Sequence, residues 1–284
     1  MFRAGTVVLA MAALASGCTE GTAPPKSSRP APGQELRLHA PPARALDAYA
    51  QKLRRSHAAR LAAARRWGLG APPLTAPAPP TRKPRLTTRK GFEVDDHEER
   101  GLPPVFTTIP TRDKVVFLTI DDGAERDPRF VALVRELRLP VSMFLTARVV
   151  GPGYAHFARL REVGASVQNH TLDHQSLRGL PYAGQRAEIC GQQDKLRERF
   201  GLRPRLFRPP YGTYDTTTLR AASDCGASAL VLWTPGEKPL GPGTIALVGP
   251  DDDLTGPPLV ERTLQLLREL QRRGLSVGRL EDYL

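Results

Sequence analysis

Beyond residue 113 the chain repeats one texture, in which short β-branched and apolar runs alternate with stretches of helical, amphipathic periodicity. The runs predict strands over 115–120, 141–145, 165–169, 205–208, 229–233, 244–248 and 276–280. The stretches between them predict helices over 127–139, 154–163, 183–200, 216–224 and 259–273, the last stopped by Gly274. Strands and helices in alternation make parallel βα units, so the expected fold is α/β, a distorted, incomplete (β/α) barrel. One connection breaks the rhythm. Only residues 234–242 separate the fifth and sixth strands, and Pro235, Gly236, Pro239, Gly241 and Pro242 fall among them. No crossover helix fits there, which marks an irregular point in the barrel.

Upstream, residues 43–67 lack Pro and Gly and are rich in Ala, Leu and Arg, which predicts a long helix. Leu46, Tyr49 and Leu53 share one side of it, a thin apolar face that suits a solvated stalk, or else contact with anionic headgroups or wall polymers. Pro-rich tracts flank this helix, notably Ala71-Pro72-Pro73 and Ala78-Pro79-Pro80, and favour extended spacers. The expected organisation is a leader over 1–18, a basic helical and Pro-rich linker over 19–110, and a folded α/β domain over 111–284.

The leader follows from Arg3, an apolar stretch over 4–14, and the small residues Ala15, Ser16 and Gly17 running into Cys18. It is too short to span a bilayer as a mature helix and reads as a signal peptide. Its end is similar to a bacterial lipobox, with Cys18 lipidated as the mature N-terminus and membrane anchor; cleavage without lipid is the alternative. The protein is therefore expected outside the bacterial cytoplasm, lipid-anchored or secreted. Cys190 and Cys225 then face an oxidising compartment, as a disulfide or as two separate buried thiols.

Composition narrows the classes. A chain of 284 residues with 40% hydrophobic and 25% charged residues is an ordinary globular protein, which excludes wholesale disorder, a fibre and a multi-spanning membrane protein. The formal charge is +12, and residues 1–112 carry most of it, with 18 Lys and Arg against 8 Asp and Glu. A basic leader ahead of a nearly neutral domain suggests an anionic surface as partner, not nucleic acid.

In a barrel of parallel strands the chemistry gathers at the strand C-terminal ends. The first predicted strand ends in Thr119-Ile120-Asp121-Asp122-Gly123. Adjacent carboxylates resist joint ionisation unless a cation stands beside them, although Asp-Gly also suits a plain reversal. The third strand runs into His170-Thr171-Leu172-Asp173-His174. On a helical turn, positions i and i+4 share a face, so both imidazoles are expected to reach one metal ion; two unrelated histidines are the alternative. The fourth ends in Arg208-Pro209-Pro210-Tyr211, where the prolines hold Arg208 at the barrel mouth to pair with a carboxylate, for catalysis or as a structural salt bridge.

Taken together and in this order, the three segments resemble the motifs of the NodB-type polysaccharide deacetylases, carbohydrate esterase family four. Thr119 to Gly123 matches the family's Thr-Phe-Asp-Asp-Gly with Ile for Phe, His170 to His174 its His-(Ser/Thr)-x-x-His, and Arg208, Pro210 and Tyr211 its Arg-x-Pro-(Phe/Tyr). The resemblance covers about residues 113–284. It implies a hydrolase that removes N-acetyl, less often O-acetyl, groups from peptidoglycan or chitin-like chains. It further implies a divalent metal on Asp122, His170 and His174, with Asp121 as general base, Arg208 orienting it, and the backbone N–H of Tyr211 helping to hold the oxyanion. Zinc is the first expectation for an Asp-His-His set, with cobalt, manganese and nickel as alternatives.

The resemblance fails late in the chain. Gly249 stands where the family carries the His that protonates the leaving amine, and after Trp233 the expected Asp-Trp motif is missing. Asp251, Asp252 and Asp253 follow, as a substitute donor or a solvated acidic loop. Two functions stay open: a deacetylase of reduced activity, and a glycan-binding pseudoenzyme that performs no turnover.

Overall fold

The computed structural model describes residues 43–88, 101–249 and 256–284. The leader, Cys18 and Asp251 to Asp253 lie outside the described residues. The chain divides into two units, 1–48 and 49–284; of the first, the described part is the start of helix α1 (Ala43–Arg66).

The second unit is built on eight strands: β1 (Val105–Phe106), β2 (Val115–Asp122), β3 (Val141–Leu145), β4 (Ser166–Asn169), β5 (Leu206–Phe207), β6 (Ala229–Val231), β7 (Ile245–Leu247) and β8 (Ser276–Gly278). Their order is β1-β6-β5-β4-β3-β2-β7, and β8 pairs with the start of β2 while β7 pairs with its middle, Phe117 to Thr119. Every strand pair is parallel. Helices α2 (Pro128–Leu137), α3 (Ala147–Val150), α4 (Tyr154–Glu162), α5 (Tyr182–Phe200), α6 (Thr216–Asp224) and α7 (Leu259–Arg273) connect them.

The sequence explains these elements locally. Residues 115–120 of β2 are all buried, because this strand is paired on both edges and covered on both faces, hence its unbroken apolar run. Val116, Leu118 and Ile120 join the core beneath α2 and α7, whereas Val115 and Phe117 join the barrel interior with Phe144, Val231 and Ile245. Helix α2 starts on Asp127, whose side chain accepts from the Arg129 N–H at 2.8 Å, with Pro128 in its first turn. Helix α6 starts on a capping box between Asp215 and Thr218. Helix α7 ends on left-handed Gly274, φ 64°.

The predicted gap after β6 is real: no helix lies between β6 and β7. Instead, the chain closes the ring by hydrogen bonds. Thr108 and Thr244 form an antiparallel bridge, Ile109 N–H donates to Gly243 O at 2.9 Å, and Thr234 N–H donates to Ile245 O at 2.9 Å. Gly243 has φ +79°, and a Cβ there would sit 1.9 Å from Ile109 O, so closure depends on glycine. At the other end the C-terminal turn, Leu280–Tyr283, seals the interior. Tyr283 packs edge-on against Phe117, and its hydroxyl donates to Asp113 at 2.7 Å. Burial and Asp113 together push the Tyr283 hydroxyl pKa far up.

Two features differ from expectation. Strand β1 lies ahead of the boundary expected at 111, and its two residues are too few to leave a periodic signal. The helix α1 is no simple stalk. Leu46, Tyr49 and Leu53 are exposed as expected, but Ala63 and Ala64 are buried in the core cluster beside Leu69. Trp67 Nε1 and Arg66 both donate to Glu136 of α2, at 2.9 and 3.0 Å. Small alanine side chains let the last turn of α1 approach the barrel closely, which an apolar-face count of large residues misses. Cys190 of α5 and Cys225 at the end of α6 form a disulfide. Among the described residues, no helix is long and apolar enough to cross a membrane.

Candidate active site

Alternation along β2 stacks Val115, Phe117, Thr119 and Asp121 towards the barrel interior, and that stack delivers Asp121 to the C-terminal mouth. Arg208, just past β5, lies across the interior with no exposed surface. Its guanidinium carbon sits 4.0 Å over the Phe144 ring. Its Nε donates to Val231 O at 2.9 Å, Nη2 to Leu232 O at 3.3 Å, and Nη1 to both Thr119 Oγ1 at 3.1 Å and Asp121 Oδ1 at 2.5 Å. Burial pushes the guanidinium pKa down and Asp121 pushes it back up. A buried cation of this kind is tolerated only with its charge paired and its donors largely used, and here Asp121 pairs the charge while every nitrogen donates, in four hydrogen bonds.

Asp122 leaves the strand with φ 65°, and Gly123 follows at φ +90°, where a Cβ would come within 2.7 Å of Val150 and 2.9 Å of Phe157. That turn aims the Asp122 carboxylate at the two histidines. Its Oδ1 lies 3.4 Å from His170 Nε2 and 3.1 Å from His174 Nε2, and Asp121 Oδ2 lies 3.9 Å from His170 Nε2. Asp122 Oδ1 is buried and has no hydrogen-bond partner.

Residues 170–174 correct the helical-turn expectation. They form a loop, in which Thr171 (φ 72°) and His174 (φ 61°) are left-handed. A β-branched threonine rarely adopts that conformation, so neighbouring groups must hold it. Asn169 Oδ1 accepts from Thr171 N–H at 2.9 Å, while Thr171 Oγ1 accepts from His174 N–H at 3.1 Å. From below, Glu188 of α5 accepts the Asp173 N–H at 2.9 Å on its carboxylate and the Leu172 N–H at 3.1 Å on its carbonyl. Asn169 and Glu188 were not singled out from sequence. Asn169 carries the signal of an Asx turn, but Glu188 looks like any helical glutamate.

One of the two imidazoles is oriented by a backbone carbonyl. His170 Nδ1 lies 2.7 Å from Arg208 O, and a carbonyl only accepts, so Nδ1 carries a proton and, in the neutral ring, Nε2 presents its lone pair. At His174, burial holds the imidazole pKa below its ordinary value; Asp122 opposes this and His170 adds to it. The His174 ring packs edge-on against Tyr211 at 4.8 Å. Tyr211 is 62% exposed at the rim and is itself left-handed, φ 59°. Four of the five non-glycine residues with positive φ among the described residues, Asp122, Thr171, His174 and Tyr211, thus border one point.

One carboxylate oxygen and two imidazole nitrogens, all within 4.8 Å of one another, converge there. Three lone pairs facing each other repel unless a cation is shared, and the orphaned Asp122 Oδ1 is the atom that lacks one. The donor set fits a divalent metal. Of the six predicted site residues, Asp121, Asp122, His170, His174 and Arg208 meet directly, and Tyr211 joins through the His174 ring.

Comparison with known proteins agrees. The polysaccharide deacetylase family model matches residues 108–230. An uncharacterised protein of Streptomyces coelicolor is 60% identical over 202 residues, which cover 67% of this chain and 81% of that one. The peptidoglycan-N-acetylglucosamine deacetylase of Bacillus cereus is 28% identical over 134 residues, 44% of this chain; the chain spans only 59% of that enzyme. Among solved structures, a family 4 carbohydrate esterase from Bacillus anthracis superposes with a TM-score of 0.54 at 21% identity, over 63% of this chain and 86% of that one. A family 4 pseudoenzyme from the same organism gives 0.55 at 20% identity, over 66% and 70%. These two likenesses concern the fold. With a close relative covered over four fifths of its length and the family model spanning all three motif segments, this chain belongs to the NodB-type polysaccharide deacetylases, carbohydrate esterase family four.

Proposed function

We propose that the protein is a metal-dependent hydrolase that removes N-acetyl or O-acetyl groups from a cell-wall or other extracellular polysaccharide, at a reduced rate. The observation that carries this reading is the convergence of Asp122, His170 and His174 beside an aspartate held by a buried arginine. A structural metal site has no use for Asp121 and Arg208; a hydrolytic one needs a base in that place.

Bound to Asp122, His170 and His174, a divalent cation supplies Lewis acidity to water and to the acetyl carbonyl, and zinc suits the donor set best. The chain's own residues do the rest. Asp121 takes a proton from the attacking water, and Arg208 fixes the carboxylate through Oδ1, leaving Oδ2 towards the site. The Tyr211 N–H donates to the carbonyl oxygen as negative charge builds on it. The departing amine must then be protonated, and Gly249 has no side chain to do it. A positioned acid contributes roughly 10²–10⁴-fold in rate, which sets the scale of the expected deficit. Peptidoglycan is the favoured substrate, by analogy with the Bacillus cereus relative, and lipidated Cys18 the favoured tether.

Gly249 also favours a second reading, a glycan-binding pseudoenzyme. Acetate release from N-acetylated and O-acetylated peptidoglycan fragments separates the two. Slow release by the zinc-loaded protein, abolished by chelation, supports the hydrolase. Binding of the same fragments with no release beyond the chelated control supports the pseudoenzyme.

A further inference from the structure

We propose that the end of the barrel opposite the site is a docking face for an anionic lipid bilayer. Because every strand is parallel, the residues just ahead of each strand share one end, and the site occupies the other. The segments ahead of β3, β4 and β5 carry exposed Arg138, Arg161, Arg203 and Arg205. The Pro-rich segment after α1 adds to the same end. It is strapped there by Arg60 donating to Pro73 O at 2.8 Å, by Lys83 donating to Asp282 O, and by Leu86 packing against the interior core. The strap presents Arg82 and Arg85.

Among the described residues, the side chains of Arg82, Arg85, Arg138 and Arg205 enter no hydrogen bond or ion pair. Of the acidic groups at this end, Glu281 accepts from Ser142 and Gln168, Asp113 from Tyr283 and Asp224 from Tyr182, Asp194 pairs with Arg203, and Glu162 and Asp282 stand beside the arginines. The site end carries Asp121, Asp122, Glu125, Asp127 and Asp173 after the strands, interleaved with Arg126, Arg129, Arg148 and Arg178. The surplus of cations therefore lies at the end opposite the site. The basic groups are spread over a whole end and not along a groove, which complements a plane of phosphates better than a single polymer strand. Half-exposed Leu74 of the strap, at 49%, adds an apolar contact to the same face. Docked this way, the site points away from the bilayer.

The test is sedimentation of the unacylated full chain with vesicles of phosphatidylglycerol and phosphatidylcholine, against phosphatidylcholine alone. The parent should prefer the anionic vesicles and release them as salt rises. Arg82→Gln, Arg85→Gln, Arg138→Gln and Arg205→Gln together should cut binding by 100-fold or more, at about fivefold per cation. An unchanged thermal midpoint shows the variant is folded. If it is not, the pairs Arg82/Arg85 and Arg138/Arg205 are changed separately, with a loss of at least tenfold expected from each. Equal binding by parent and variants overturns the proposal. So does a parent that ignores the vesicles but binds soluble polyphosphate, which assigns the face to a polymer.

Discussion

His170 and Arg208 are joined by one hydrogen bond, and Arg208 has a second grip on the site. The Arg208 carbonyl accepts a hydrogen bond from His170 Nδ1–H at 2.7 Å, while the Arg208 side chain donates to Asp121 at 2.5 Å. One residue thus fixes the tautomer of a metal-ligand candidate through its backbone and the position of the candidate base through its side chain. The two roles separate on mutation. Arg208→Lys keeps the carbonyl but cannot reproduce four hydrogen bonds from a planar fork. Metal affinity should stay within a few-fold of the parent, while turnover falls roughly 10²-fold or more. Isothermal titration with zinc and acetate release measure the two.

Metal binding at Asp122, His170 and His174 should stabilise the fold, since it ties the end of β2 to the loop after β4, two segments far apart in the chain. At a free zinc concentration of 100 times Kd the gain is about 2.7 kcal/mol, which for a chain of this size raises the midpoint by roughly 5–10 °C. In Asp122→Ala the rise should vanish. A midpoint that rises equally in the variant would place the metal elsewhere.

Glu188 supports the loop between His170 and His174 without touching either ring. Outer groups that orient ligands typically contribute 10–100-fold in metal affinity. Glu188→Ala should weaken zinc by about that range, and Glu188→Gln, which keeps one acceptor oxygen, by less. An unchanged Kd in Glu188→Ala would show that Asn169, Thr171 and the backbone carbonyl at 188 hold the loop without the carboxylate.

Gly249 offers a gain-of-function test. A Cβ there would meet only Leu247, at 3.6 Å, an ordinary contact. Histidine can therefore be introduced without strain at that atom. If the missing acid limits the rate, Gly249→His should raise acetate release, by up to about 10²-fold or more. No rise would move the deficit to the shortened segment after Trp233.

His156 of α4 is 5% exposed and neither ring nitrogen has a partner. Burial, with Arg159 and Arg126 adding to it, holds its folded pKa below 6.5, and Asp127 opposes them. The unfolded chain therefore binds this proton first as pH falls. Stability is full above the unfolded value and declines between it and the lower folded value. His156→Leu should flatten the fall of the thermal midpoint below about pH 6.5, measured in chelator so that the His170–His174 pair cancels in the comparison. Parallel curves for parent and variant would contradict this assignment.

Much of this was legible in sequence because burial and periodicity coincide. Strand β2 is apolar throughout since both its faces are covered, and α7 begins and ends where its pattern and Gly274 say. The site was legible because its motifs fall at strand ends, where parallel topology must gather them. The rest was not, for physical reasons. Strand β1 is two residues long, the α1 contact is made by alanines, and the His170–His174 segment reaches one point through two left-handed residues, not a helical face. Glu188 acts through backbone groups across tertiary space, which no local pattern records.

The central claim is a division of labour between adjacent aspartates, with Asp122 on the metal and Asp121 on the proton. Asp121→Asn and Asp122→Asn, compared by zinc titration and acetate release, test it most directly. The account predicts that Asp121→Asn binds zinc like the parent and releases no acetate, while Asp122→Asn loses both. Zinc binding lost in Asp121→Asn and kept in Asp122→Asn, or turnover surviving in Asp121→Asn, would contradict it.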